Sequence, residues 1–435
     1  MSASLIVVVM ILFSLLLVGS PVIFAIGSAG LVYFIVKPGM WSLVPIYAHK
    51  FFTGMDVFIW LCIPLFVIAG EVMASIGMTD KLVRFAQLIV GRFRGGLAYV
   101  NVLDSMFFGG VSGSALADIS ALGPIVIDMM KRDGYTPAFA TAMTVTTAIQ
   151  GPVIPPSIPM IIFASLTNVS VGALFLAGII PGIMIGVGQI IVVMIMVRTR
   201  HFPPHKLDDL SWKVSLKITA DAGWSLVMPL IIVGGIVSGV FTATEAAAVA
   251  VGYAAVIGFL VYRNLTPRMF WKILDKAART SASIYLIIAF ATVISWILAM
   301  ERVPDLIVGF INHYKFERWQ FLILLNLFFL FNGLWISDSV QLLLFAPLFT
   351  PILEKMGVHP IHFGVVMVIN VMISLITPPY GVGLYLGAIV GKVKLGDIVR
   401  EAWPFLLSAI AVLALTTYLP GLTLWIPTLA GFIAK

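Results

Sequence analysis

The chain has 435 residues, of which 61% are hydrophobic and only 10% charged, and its mean hydropathy is +1.10. A water-soluble globule cannot hide that much apolar surface, which leaves a polytopic, all-helical membrane protein. The formal charge of +7 invites a nucleic-acid reading. The basic residues, however, sit in short loops between apolar runs, where charge ordinarily records membrane topology.

In chain order, the first apolar run begins near residue 4 and continues through Gly19-Ser20-Pro21 to Val36. Met1–Ser4 carries no basic side chain, so this run is expected to form anchored helices and not a cleaved signal peptide. A polar amphipathic stretch (37–56) follows, then apolar runs at 57–78, 96–130 and 137–198. A loop at 198–217, with Arg198, Arg200, Lys206, Lys213 and Lys217 against Asp208 and Asp209, divides the chain and is expected in the cytoplasm. Further apolar runs lie at 224–262, 280–300, 320–353, 361–391 and 403–433. About ten to twelve crossings are expected, counting broken helices loosely. The lone Cys62 excludes an intramolecular disulfide.

The halves repeat. Gly110, Ser114, Pro124, Gly134, Pro137, Val145, Pro155 and Pro156 meet the same residue types 223 positions later, at Gly333, Ser337, Pro347, Gly357, Pro360, Val368, Pro378 and Pro379. Loop charge reverses between them. The stretch 37–56 carries a formal +1 and its counterpart 263–279 a formal +4, whereas 79–95 carries +3 and 302–318 only +1. Matching segments then face opposite sides of the membrane. This predicts an inverted repeat with both termini outside the cytoplasm. A tandem repeat of equal orientation is the alternative.

The matched residues are mostly helix breakers. Phe107–Ala115 holds three glycines and two serines, flanked by Asp104 and Asp118. Glycine at this density weakens a continuous helix, at roughly 1 kcal/mol each relative to alanine, and suits the tip of a re-entrant hairpin. Gln150–Pro159 has four prolines at 152, 155, 156 and 159, which remove backbone donors and unwind the helix. Asn332–Ser339 and Thr377–Gly381 repeat the arrangement, with Tyr380 after the second proline pair. Unwound backbone at membrane depth is tolerated only where protein or a cavity solvates it. Its carbonyls, with serine hydroxyls, are hard oxygen ligands suited to Na+, while a half-helix N-terminus favours an anion. Acids at depth tend to mark function, which singles out Asp118 and Asp338.

Other chemistry is poorly supported. The stripes Gly178-x3-Gly182-x3-Gly186 and Gly383-x3-Gly387-x3-Gly391 read as close helix packing. Gly387–Val393 has the wrong spacing for a phosphate loop, and no serine or threonine follows Lys392. Proline interrupts both histidine pairs, His201/His205 and His359/His362. Gly110-Val111-Ser112-Gly113 is not a nucleophile elbow.

Gly110-Val111-Ser112-Gly113-Ser114-Ala115-Leu116-Ala117-Asp118, Gly134-Tyr135, Ile154-Pro155-Pro156-Ser157, Phe363-Gly364 and Ile376-Thr377-Pro378-Pro379 resemble the large membrane (permease) subunit of tripartite ATP-independent periplasmic (TRAP) transporters over essentially the whole chain. The resemblance implies Na+-driven uptake of an organic acid across a bacterial inner membrane, by elevator-type movement of a core against a scaffold, and no enzyme activity. It implies two partners, a small four-helix membrane subunit and a soluble periplasmic substrate-binding protein. With the helix breaks, it implies a cation region at Gly110, Ser112, Ser114, Gly151 and Ile154 and a second at Gly333, Ser337, Asp338, Thr377 and Gly381. Asp118, Pro156, Ser157 and Arg302 fall to the substrate, with Arg302 as partner for its carboxylate.

The expected division is scaffold helices and arm at 1–56, a core half at 57–198, a cytoplasmic linker at 199–223, a second scaffold and arm at 224–279 and a second core half at 280–435. A stand-alone Na+/dicarboxylate carrier of related hairpin architecture is a second reading. An intramembrane hydrolase using Ser112 or Ser114 with Asp118 is a third.

Overall fold

The computed structural model describes residues 3–200, 202, 211–334, 336–379 and 381–433, and all their regular structure is helical. In the first half, α1 (Ala3–Leu17) and α2 (Val22–Val36) are joined at Gly19, whose φ of +86° suits glycine. The arm α3 (Val44–Met55), α4 (Cys62–Ser75) and α5 (Met78–Val90) lead into α6 (Gly96–Ser112). There follow α7 (Ala115–Ala121), α8 (Gly123–Arg132), α9 (Pro137–Thr147), α10 (Ile158–Thr167) and the long α11 (Val171–Thr199).

The second half has α12 (Trp212–Val237), α13 (Ala243–Val256), α14 (Pro267–Met300), α15 (Val303–Tyr314) and α16 (Arg318–Asn332). It continues with α17 (Asp338–Lys355), α18 (Pro360–Leu375), α19 (Val382–Gly391), α20 (Leu395–Tyr418) and α21 (Gly421–Leu429). The offset of 223 recurs in the helix starts to within a residue: α9 starts at Pro137 and α18 at Pro360, and α10 starts at Ile158 against Val382 for α19. Two exceptions are informative. The chain leaves the helix at Asp56 and extends at Val57, separating α3 from α4, whereas α14 runs unbroken through the equivalent stretch and across 279/280. α17 likewise carries Pro347 and Pro351 inside one helix, where the first half splits into α7 and α8. A proline kinks a helix only if the lost bond is not recovered by its surroundings.

Among the described residues six helical spans are long and apolar enough to cross a membrane, namely Phe58–Ser75, Val171–Thr199, Trp212–Val237, Ala243–Val261, Pro267–Met300 and Leu395–Tyr418. Shorter apolar helices such as Pro360–Leu375 and Val382–Gly391 accompany them, each below the length of a full crossing. The halves interlock: α9 packs on α19 and α20, α10 on α17 and α18, and α4 on α13 and α14. A polar knot ties α2 to the end of α14, where Glu301 Oε1 accepts from Tyr33 Oη at 2.6 Å and from Lys37 Nζ at 2.5 Å. Residues 201 and 203–210 of the basic connection at 198–217 lie outside the described residues, and Arg200 pairs with Glu401 at 2.5 Å.

Candidate transport site

The first hairpin turns where the sequence places its glycines. α6 ends at Ser112 and Gly113 reverses the chain with φ +61°. A Cβ at Gly113 would stand 2.6 Å from the Pro156 carbonyl oxygen, so conformation and space both demand glycine. Ser114 then caps α7, its hydroxyl accepting from the Ala117 N–H at 3.4 Å. The Ser112 hydroxyl faces the Ser114 backbone, with the Ser114 N–H donating to it at 3.4 Å. Nothing in this arrangement pairs Ser112 with a base.

The tip lies against the first unwound segment. α9 passes into a tight turn at Ala148–Gln150, and helix resumes only at Ile158, capped by Ser157 through the Met160 N–H at 3.2 Å. Ser157 also donates to the Pro152 carbonyl, and the Pro155–Pro156 peptide is cis. Ile158 N–H donates to Gly113 O at 3.5 Å, and the Cα of Gly151 fills the space a Cβ on Gly109 would need. Pro155 O lies 3.6 Å from the Cβ position of Gly110. The segment is braced from behind by the glycine stripe of α11, since a Cβ at Gly182 would meet the Ile154 side chain at 2.5 Å and one at Gly186 the Gln150 Oε1 at 2.7 Å. The stripe is therefore packing, as its spacing suggests, and what it packs is the helix break.

The second half builds the same junction from different groups. α16 ends at Asn332 and α17 begins at Asp338 with Ser337 as N-cap, while α18 ends at Leu375 and α19 resumes at Val382. Gly333 leaves room only for the Ser374 side chain. Gln341 Nε2 bridges the tip to the break, donating to Ile336 O and to Ser374 Oγ at 3.4 Å each. The Thr377 hydroxyl donates to Ile373 O at 2.7 Å, which leaves its lone pairs free to accept, and Gly381 N–H donates to Thr377 O at 3.1 Å. The Pro378–Pro379 peptide is also cis. Tyr380 and Trp335 lie outside the described residues.

A cavity of about 700 Å³ joins the two tips. Ser112 and Ser114 line it from the first hairpin, Asp338 and Ser339 from the second, Ile158 and Pro159 from α10, and Glu71 and Lys276 from α4 and α14. Of the residues expected at a site, Ser112, Ser114 and Asp338 face this space. Gly110, Gly151, Ile154, Pro156 and Ser157 form the tip-to-break junction behind it, and Gly333, Ser337, Thr377 and Gly381 form its second-half equivalent. Arg302 is placed apart from both. It is exposed, adopts φ +53° and caps α15, and it is not among the cavity-lining residues.

Asp118 is fully buried beneath the first tip, and neither carboxylate oxygen has a hydrogen-bond partner. Asp104, equally buried and unpartnered, is close enough to interact with it electrostatically. In the second half two buried amides are half-satisfied, since Gln341 Oε1 and Asn370 Oδ1 accept no hydrogen bond. Asp118 and Gln341 are 223 positions apart, as are Thr147 and Asn370. Sequence reasoning missed Gln341, Asn370 and the Glu71–Lys276 pair. The repeat offset is the signal that points to Gln341 and Asn370.

Comparison with known proteins agrees with this architecture. The family model "Tripartite ATP-independent periplasmic transporter, DctM component" matches residues 9–422. The chain is 37% identical to the sialic acid TRAP transporter large permease protein SiaM of Vibrio cholerae, covering 95% of this chain and 96% of that protein. It is 36% identical to the C4-dicarboxylate TRAP transporter large permease protein DctM of Pseudomonas aeruginosa, covering 88% and 90%. Among solved structures it resembles the Alcanivorax borkumensis YdaH transporter, with a TM-score of 0.61 at 16% identity over 97% of this chain and 98% of that one, a likeness of fold. With its hairpins, breaks and length all accounted for, the chain belongs to the DctM family of TRAP transporter large permease subunits and is a transport protein, not an enzyme.

Proposed function

We propose that this chain carries an organic acid anion inward across the bacterial inner membrane, coupled to Na+, as the permease of a three-part system. The observation that carries the reading is a cavity onto which the hairpin tips of both halves open. Paired broken helices around one such space are the arrangement secondary transporters use for substrate and coupling ion. Relatives named for sialic acid and for C4-dicarboxylates set the substrate class as an organic acid.

The residues fit a Na+ ion. Around each break stand carbonyl oxygens and hydroxyls with acceptor capacity to spare, among them Thr377 Oγ1 in the second half, where Gln341 Oε1 and Asn370 Oδ1 are buried and unpartnered. In the first half the Ser112 and Ser114 hydroxyls sit at the tip and the charge of Asp118 lies beneath. A cation there offsets the cost of buried acceptors and favours an anion alongside it in low dielectric. Residues 1–56 and 224–279 then act as scaffold and hold the small four-helix subunit, and because α14 runs unbroken across 279/280 the whole of that helix stays with the scaffold, while 57–198 and 301–435 move as the core. A soluble periplasmic binding protein delivers the substrate.

Reconstitution tests this reading. Proteoliposomes holding this chain with its small subunit, given the binding protein and an inward Na+ gradient, should accumulate an organic acid, and this chain alone should not. Robust uptake by the single chain would favour the stand-alone carrier, and uptake indifferent to Na+ would remove the coupling ion.

A further inference from the structure

One wall of the cavity carries a charge pair that neither the helix breaks nor the repeat predicts. Lys276 Nζ on α14 stands 2.7 Å from Glu71 Oε1 and 2.8 Å from Glu71 Oε2 on α4. Among the described residues lining the cavity, Lys276 is the one cation, and Glu71 and Asp338 are the acids. The Lys276 side chain is 63% exposed and that of Glu71 24%. A pair this open to water contributes little net stability, because each ion surrenders hydration for an attraction that solvent screens. Glu71 is therefore a replaceable partner. An incoming carboxylate offers the ammonium the same charge-assisted hydrogen bonds that Glu71 provides, and the hydroxyl-bearing Ser112 and Ser114 line the same cavity. Arg302, the other cation that suits this task by charge, does not line the cavity.

We infer that Lys276 is the carboxylate anchor of the cavity and Glu71 its resident counter-ion, displaced when an organic acid binds and restored when it leaves. The inference rests on the organic-acid reading above. Glu71 has a mechanistic use in this scheme. By competing for Lys276 it keeps the anion from being held too tightly and returns the lysine to a neutralised state after release, as a carrier requires of both faces of its cycle. The pair is thus unlike a structural bridge, in which loss of either member has the same sign.

That difference in sign is the test. The large and small subunits are purified together in detergent, and the concentration of N-acetylneuraminate or succinate giving half-maximal thermal stabilisation is measured against a chloride control. Glu71→Gln frees the lysine and should lower the half-saturating concentration by about three- to tenfold, while Lys276→Gln should raise it by about tenfold. Lys276→Arg, which keeps the charge, should stay near the wild type. Uptake of the same anions by cells carrying the complete transporter is scored in parallel. If the wild type takes up an anion but Glu71→Gln and Lys276→Gln weaken its binding alike, or no variant shows anion-dependent stabilisation, the anchor is overturned while the transport reading stands. If the complete wild-type transporter takes up neither anion, the organic-acid reading falls and the anchor with it.

Discussion

Asp118 and Gln341 occupy equivalent positions in the two halves, 223 residues apart, each in the second helix of its hairpin. Both are fully buried, and each has a side-chain oxygen without a hydrogen-bond partner. One half therefore presents a carboxylate where the other presents an amide. The two halves thus differ in charge at this position, although the second hairpin brings a carboxylate of its own to the cavity at Asp338.

Asp118→Asn puts an amide at this position in both halves. Removing a carboxyl whose ionised form is costly in apolar surroundings should stabilise the protein by roughly 1–3 kcal/mol, while Na+-dependent uptake falls more than tenfold. Thermal melting of the purified subunit pair and uptake in proteoliposomes read the two effects. A gain in stability with full uptake would show that the carboxylate serves no cation.

The division of labour at Ser114 gives a second expectation. Its hydroxyl caps α7 and it sits at the cavity edge, so Ser114→Ala loses both the cap and an oxygen at the tip. The loss should be of order 1–3 kcal/mol, or about tenfold to a hundredfold in apparent Na+ affinity. Ser165→Ala, on α10 away from the breaks, should do little. An unchanged Na+ dependence in Ser114→Ala at normal protein level would leave only the capping role.

Much of this architecture was legible because helix breakers are informative where everything else is apolar. Gly113 is required by φ and by the Pro156 carbonyl, and the proline runs fall where α9 and α18 end. The unequal arms were not legible: nothing in their composition says that the chain breaks at Asp56 yet runs on as one helix through Arg279. Nor was the Lys276–Glu71 pair, whose members are 205 residues apart in segments of no special pattern. Arg302, which the family resemblance assigns to the substrate carboxylate, sits at the start of α15 and does not line the cavity. Gln341 and Asn370 carry no motif as single amides in apolar runs, and what marks them is the repeat offset together with a buried oxygen that accepts no hydrogen bond.

Membrane orientation follows from loop charge and is open to labelling. Ser42 and Arg268 are both exposed and flank the arms of the first and second halves. In a Cys62→Ala background, Ser42→Cys should react with an impermeant thiol reagent from the periplasm, and Arg268→Cys only after the cytoplasmic side is opened, because the more basic arm faces the cytoplasm. Reaction of both from one side would mean a tandem and not an inverted repeat.

The glycine stripe of α11 supplies the last expectation, and it separates packing from site geometry. A methyl at Gly182 would meet Ile154 Cγ1 at 2.5 Å and its backbone nitrogen at 3.4 Å, whereas Gly252 on α13 has nothing within 4 Å of its Cβ position. Gly252→Ala should be neutral or slightly stabilising, because alanine is the better helix former by about 1 kcal/mol. Gly182→Ala must push the unwound segment off α11, at a cost of about 1–3 kcal/mol for overpacking. Because Ile154 belongs to the first tip-to-break junction, the same displacement should weaken apparent Na+ affinity together with stability. Melting of the purified subunits and the Na+ dependence of uptake measure both. If Gly182→Ala lowers stability while Na+ affinity holds, the stripe merely packs a helix, and the segment around Ile154 is not part of the cation site.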